Sequence, residues 1–170
     1  MKNKDGVIIE TYILRIEKSF SDVEQLNKNP ELYFISLSEV TSETQLSLFP
    51  GYVEGAIIIE YNGNRLINYS YWDCVDDLWS DILIITKDML TEGKGETLFP
   101  DQPIPISMKR KSLNTFIFQV GEKSIELPLK IFLSKLLNEA EYFFKTIYTV
   151  YPNTFFLRQI KKIVEMRKLL

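Results

Sequence analysis

The sequence predicts an α+β protein in which antiparallel sheets, built from hairpins, carry two long amphipathic helices and a C-terminal helix on one face. Three observations lead to this class. Short β-branched segments are separated by turn residues, two long stretches repeat apolar residues every three or four positions, and each of these stretches directly follows a hairpin. This order favours helices packed on an antiparallel sheet over the strand–helix alternation of a parallel sheet.

The first half of the chain is predicted to supply strands. Residues 7–16 and 32–37 are rich in β-branched and aromatic side chains, which suit a pleated, partly buried surface. The segments 56–61 and 65–69 flank Asn62-Gly63-Asn64. Asn-Gly provides the positive φ angles of tight hairpin turns, so these two segments are predicted to form a hairpin.

A long helix is predicted directly after this hairpin. Ser70 and Asp73 have the spacing of a capping box, and Gly93 has the conformational freedom to end the helix in a left-handed conformation. Between them the apolar residues repeat with helical spacing. The predicted inward face consists of Trp72, Val75, Leu78, Trp79, Ile82, Leu83, Ile85, Met89 and Leu90.

The second half repeats the order of strands and helix. Residues 95–105 contain three prolines and are predicted to form a loop, because proline donates no backbone hydrogen bond. The segments 106–110, 114–120 and 124–127 are predicted strands. Pro128 suits the start of the next helix, whose apolar residues keep a three-four spacing over five turns.

The chain is predicted to be a single α+β domain over residues 1–170. Pro152 and the two residues after it break the second long helix and cap a C-terminal helix over 154–170. The hairpin–helix units 52–93 and 104–150 have the form of a pseudo-repeat. Their residue identity is negligible, so the similarity is one of architecture only.

Composition excludes several classes of function. The chain has no histidine, which removes the most common general base and metal ligand, and it has no nucleotide-binding motif. The single cysteine, Cys74, forms no internal disulfide, so we expect a reducing, cytoplasmic location. A net charge of −3 argues against nucleic acid, and no stretch is apolar enough to span a membrane. We therefore expect no cofactor and no metal, and we favour a non-enzymatic protein.

The predicted helix after Ser70 carries an acidic stripe. Asp73, Asp77 and Asp81 follow one another at intervals of four residues, with Asp76 and Asp88 beside them, so their carboxylates are predicted to face solvent in a row. One interpretation is a docking surface for a basic partner. Two others are a solvated face favoured by the helix dipole and a cation site of oxygen ligands.

The C-terminal segment has the opposite charge. Residues 158–170 contain five cations and one carboxylate on an amphipathic pattern. Such a helix binds an anionic surface or a partner's groove, or it packs on its own domain and neutralises the acidic stripe. Tyr71 is predicted to lie beside the stripe as an exposed aromatic contact.

Three hypotheses of function follow from these patterns. The first is a cytosolic interaction module that presents the acidic helix face to a basic protein, for which an immunity-type inhibitor of a toxin or nuclease is one concrete version. The second is a small-ligand-binding protein or a carboxylate-dependent enzyme with a pocket between the helices and the sheet. The third is a homodimer built through the aromatic final helices.

Overall fold

Two antiparallel sheets, three long helices and one short helix are the main elements in the part of the chain that the structure describes. The computed structural model describes residues 5–15, 23–41, 48–49 and 52–170. The first sheet consists of β1 (Val7–Leu14), β2 (Phe34–Ser36), β3 (Leu48–Phe49), β4 (Tyr52–Tyr61), β5 (Asn64–Ile67) and β6 (Asp73–Cys74). The second consists of β7 (Lys94–Leu98), β8 (Pro105–Arg110), β9 (Thr115–Val120) and β10 (Lys123–Pro128). The helices are α1 (Val23–Lys28), α2 (Val75–Glu92), α3 (Leu129–Val150) and α4 (Thr154–Arg167).

The first sheet is organised around the long strand β4. Its order is β2-β1-β4-β3, and β5 and β6 also pair with β4. Successive side chains of a strand point to opposite faces, so Ile57 and Ile59 pack in the main core while Ala56 and Ile58 pack in a smaller cluster on the other face. The short helix α1 contributes Leu26 to this smaller cluster.

The predicted hairpin between β4 and β5 is confirmed. Tyr61 pairs with Asn64, which leaves Asn62 and Gly63 as a two-residue turn. Their φ angles of 49° and 81° are both positive, as a turn matched to the twist of the strands requires.

The second sheet has the order β10-β9-β8-β7, and the predicted loop over 95–105 is wrong at its start. Residues 94–98 form β7, an edge strand, because the prolines of this segment come after it or begin β8. Gly95 lies where β7 crosses α2. A Cβ atom there would stand 2.4 Å from the carbonyl oxygen of Ile85, so only glycine fits without displacement.

Helix α2 begins at Val75, so the predicted capping box at Ser70 is wrong. The Asn68 side chain instead accepts a hydrogen bond from the Ser70 backbone N–H at 3.0 Å and caps a single 3₁₀ turn. Asp73 is in β6, where pairing with β4 keeps the backbone extended. The predicted end is confirmed: Gly93 has φ 83° and donates its backbone N–H to the carbonyl of Met89.

One main apolar core includes residues from both sheets and from the three long helices. The predicted inward face is buried at seven positions of α2, from Val75 to Met89, and Leu90 is half-buried. Trp72 precedes the helix and packs, half-buried, against the smaller cluster. The Trp79 ring is fully buried and donates its Nε1–H to the Thr11 hydroxyl at 3.2 Å. Helix α3 begins after Pro128, as its sequence predicts, and Asn153 caps α4. No helix in the described ranges has both the length and the apolar composition needed to cross a membrane.

Candidate functional site

The predicted acidic stripe is divided by burial. Asp73 and Asp76 are only 2% and 1% exposed, so the expectation that they face solvent is wrong. Asp73 precedes the helix, and Asp76 occupies the inward side of its first turn. Asp77 is exposed, and Asp81 and Asp88 are half-buried. The row of carboxylates is therefore shorter than the sequence pattern indicates.

Asp76 joins the start of α2 to the first sheet. Its Oδ1 accepts hydrogen bonds from the backbone N–H of Val53 at 3.0 Å and from the Cys74 thiol at 3.0 Å. A buried carboxylate is stable when several donors satisfy it, and both of these donors are themselves buried. Asp76 is thus a structural residue that fixes α2 against β4.

Asp73 fixes the loop between β7 and β8 in a similar way. Its Oδ1 accepts the Cys74 backbone N–H at 2.7 Å and the Asp101 backbone N–H at 3.1 Å. The Tyr52 hydroxyl donates to the Asp101 carboxylate, and the Gln102 side chain donates to the carbonyl of Trp72 at 2.6 Å. These bonds hold Asp101 beside the start of α2.

Four carboxylates from three chain segments form what we call the acidic surface: Glu54, Asp77, Asp81 and Asp101. Glu54 lies on β4 and pairs across the sheet with Cys74, while Asp77 and Asp81 lie on α2. Sequence reasoning missed Glu54 and Asp101, because they are far along the chain from α2 and no helical spacing connects them to it. Pairing of β4 with β6 and the hydrogen bonds to Asp73 bring them together.

The carboxylates of the acidic surface raise one another's pKa values. The surrounding protein partly desolvates the Asp77 carboxylate and so raises its pKa, and the negative charges of Asp76 and Asp101 raise this pKa further. Burial also raises the pKa of Asp81, to which the charges of Asp77 and Asp73 add. The pKa of Glu54 is raised by burial and then by Asp101. These carboxylates take up protons more readily than isolated ones, because each negative charge is repelled by the other negative charges nearby.

The protein's own cations do not neutralise this surface within the described ranges. The salt bridges found there involve none of its four carboxylates. Of the cations near the C-terminal end, Arg167 pairs with Glu141 at 2.5 Å and Lys168 pairs with Glu165 at 2.8 Å. Helix α4 does pack beside α2, where Gln159 donates a hydrogen bond to Ser80 at 3.1 Å.

Tyr71 and Asp88, the other two sequence-predicted contacts, lie apart from one another. The Tyr71 ring is half-buried and packs on Phe99, with ring centroids 5.7 Å apart, so it is less exposed than expected. Asp88 lies three helical turns beyond Asp77 on α2, where it lines a groove together with lysines of α4. Asp88 therefore does not belong to the acidic surface.

Cys74 has the environment of an unreactive thiol. It is 1% exposed, and burial together with the hydrogen bond to Asp76 raises the pKa of its thiol. The thiolate is the nucleophilic form, so this environment disfavours nucleophilic chemistry at Cys74.

A separate carboxylate lies between helix and sheet. Glu139 on α3 accepts the Thr11 backbone N–H of β1 at 3.0 Å and lines a cavity of about 350 Å³. Burial raises the pKa of Glu139, and the charge of Glu10, which lines the same cavity, raises it further. Glu139 is thus a carboxylate with raised pKa that lines a cavity between α3 and β1.

Neither metal chemistry nor known relatives identify the site. Within the described residues, no group of three cysteine, aspartate or glutamate side chains is arranged to hold a metal ion. No protein-family model, no curated protein and no solved structure matches the chain. The geometry and charge of the acidic surface are therefore the basis for a functional proposal.

Proposed function

We propose that this protein is a cytosolic, non-enzymatic interaction module whose acidic surface binds a basic protein. The observation that carries the proposal is that Glu54, Asp77, Asp81 and Asp101 lie together without a cation paired to any of them among the described residues. Mutual repulsion is unfavourable in the free protein, and a cationic partner relieves it on binding.

Rigid placement of the surface supports the same proposal. Hydrogen bonds to the buried carboxylates of Asp73 and Asp76 fix β4, α2 and the loop at Asp101 relative to one another. A preorganised set of charges loses less conformational entropy when a partner binds, and its field increases the rate of encounter with an oppositely charged protein. An immunity-type inhibitor of a basic toxin or nuclease is the concrete form of partner binding that these features fit.

Affinity capture from the native cell, repeated at low and high salt, tests this proposal. We expect a basic protein to be retained at low salt and released at high salt, since exposed charge pairs are screened by ions. The variant Asp77→Asn/Asp81→Asn should bind the captured protein roughly tenfold more weakly and with a smaller salt dependence.

A matched control removes the same charge elsewhere. Glu96 and Glu122 are exposed and lie outside the acidic surface, so Glu96→Gln/Glu122→Gln changes the net charge equally. Unchanged binding in the control, with loss in the aspartate variant, supports the proposal. Equal losses in both variants would indicate a nonspecific effect of net charge, and unchanged binding in both would refute the proposal.

The cavity at Glu139 favours a second candidate, a small-ligand-binding protein or a carboxylate-dependent enzyme. A carboxyl group with raised pKa is suited to donate a proton, and Glu10 supplies a second carboxylate beside the same cavity. A metabolite that raises the melting temperature of the wild-type protein but not of Glu139→Gln would support this candidate. If no metabolite in a test panel changes the melting temperature of the wild-type protein, this second candidate is not supported.

A further inference from the structure

A groove of about 730 Å³ lies between α2 and α4, apart from the acidic surface. It is lined with apolar side chains of both helices. Leu83 and Met166 are buried at its base, while Ile84 and Leu169 are 47% and 49% exposed. Its lining spans residues 83–91 of α2 and 161–169 of α4 and the turn after it, a rise of about 12 Å over eight steps of 1.5 Å.

The charges around this groove are mainly positive. The pair between Lys168 and Glu165, at 2.8 Å, leaves Asp88 as the remaining carboxylate of the lining. In the described chain, no ion pair involves the remaining lysines of the lining, which are Lys87, Lys161 and Lys162. An apolar groove with a positive edge is thus present in a chain whose net charge is −3.

We propose that this groove binds a small amphiphilic anion, with an apolar chain along Leu83, Ile84 and Met166 and a carboxylate held by Lys161 and Lys162. Ligand sites have volumes of about 300–1,000 Å³, mostly apolar walls and a few polar groups that orient the ligand. The groove between α2 and α4 has these properties. The lysines select the sign of the head group, and the apolar lining selects a chain of limited length.

A macromolecular occupant fits the groove less well. A stable protein interface buries about 800 Å² on each partner, and a groove two to three helical turns long supplies too little contact area by itself. The charge requirement is also the reverse of that for the acidic surface, so this inference does not rest on the proposed function.

Two probes with the same chain and opposite head groups test the inference. Decanoate and decyltrimethylammonium are titrated below their micelle concentrations into protein with ¹³C-labelled methyl groups. We expect decanoate to shift the methyl signals of Leu83, Ile84 and Met166 and to bind about tenfold more tightly than the cation. In Lys161→Gln/Lys162→Gln, the affinity for decanoate should fall roughly three- to tenfold. The ratio of the affinities for decanoate and decyltrimethylammonium should fall as well.

A matched pair of variants separates the groove from the rest of the surface. Ile84→Glu places a carboxylate in the groove and should abolish decanoate binding. Val164 of α4 is 46% exposed and does not line the groove. Val164→Glu adds the same charge there, so this variant should bind decanoate as the wild type does.

Four results would overturn the inference. They are equal affinity for the two probes, shifts confined to other methyl groups, an acidic amphipathic peptide binding where decanoate does not, and light scattering that shows a dimer closed through the groove. In the last case Ile84→Glu would convert the dimer to a monomer.

Discussion

Replacing Asp76 with alanine removes the hydrogen bonds that join α2 to the first sheet. The Val53 backbone N–H then loses its acceptor in a buried position, and the Cys74 thiol keeps only its longer hydrogen bond to Asp77 Oδ2 at 3.7 Å. Asp76→Asn is the informative comparison, because the amide Oδ1 keeps the position of the acceptor while the negative charge is removed.

The magnitudes of the two changes differ. A buried donor without an acceptor lowers the free energy of unfolding by about 1–3 kcal/mol. Removing the buried charge of Asp76 also removes its repulsion with Asp77, which offsets part of this loss. We therefore expect Asp76→Ala to lower the free energy of unfolding by about 2 kcal/mol. Asp76→Asn should lower it by less than about 1 kcal/mol. For a chain of this length, 2 kcal/mol corresponds to a decrease in melting temperature of roughly 4–8 °C.

Urea unfolding followed by tryptophan fluorescence, to which the fully buried Trp79 and the half-buried Trp72 contribute, measures the stability of both variants. The rate of hydrogen exchange at the Val53 amide gives an independent measurement. This rate should increase in Asp76→Ala and change little in Asp76→Asn. Equal stability of the two variants, or an unchanged Val53 exchange rate in the alanine variant, would refute the role assigned to Asp76.

Three further predictions concern stability. Gly95→Ala should lower the free energy of unfolding by about 1–3 kcal/mol, because its Cβ would stand 2.4 Å from the Ile85 carbonyl oxygen; urea unfolding measures this. Asp77→Asn/Asp81→Asn should raise stability at pH 7 by about 0.2–0.5 kcal/mol. Folding raises the pKa of both carboxyl groups above the ordinary value of 3.8, so the wild-type protein loses stability as pH rises above 3.8. Thermal scans should therefore show that the variant is more stable than the wild type at pH 7 and that this difference disappears below pH 3.8. Gln159→Leu should raise the melting temperature by an amount equivalent to about 1 kcal/mol, because it removes the buried Oε1, which has no hydrogen-bond partner among the described residues. The bond from Gln159 to Ser80 is also lost, but Ser80 is only half-buried and solvent can replace it.

Local features of the fold could be predicted from the sequence. The turn at Asn62 and Gly63, the end of α2 at Gly93 and the extent of α3 each depend on residues close together in the chain. Helical spacing also identified the buried face around Trp79. In these cases the conformation that a few residues prefer is the one that the tertiary structure uses.

Features that depend on distant residues could not be predicted in this way. Ser70 and Asp73 have the local pattern of a capping box, but strand pairing of Asp73 with Gly55 delays the start of α2. The edge strand β7 likewise forms because β8 is available to pair with it. Helix α1 is too short to show a periodicity, and Leu26 is its one buried residue.

The candidate site was predicted only in part, because some of its features also depend on residues that are distant in the chain. Spacing along the helix identified Asp77 and Asp81 correctly as neighbours, but it treated every aspartate of the stripe as solvated. Asp76 is buried because a backbone N–H of β4 lies within reach of its carboxylate, which helical spacing alone does not reveal. The contributions of Glu54 and Asp101 likewise depend on pairings made elsewhere in the fold.

An NMR titration of the side-chain carboxyl carbons of Asp77 and Asp81 tests most directly whether the acidic surface is left without a paired cation. If these carboxylates face other negative charges, as the structure indicates, both midpoints lie above the ordinary value of 3.8. Midpoints below 3.8 for both residues would mean that cations of the protein pair with them, and would contradict the acidic surface on which the proposed function depends.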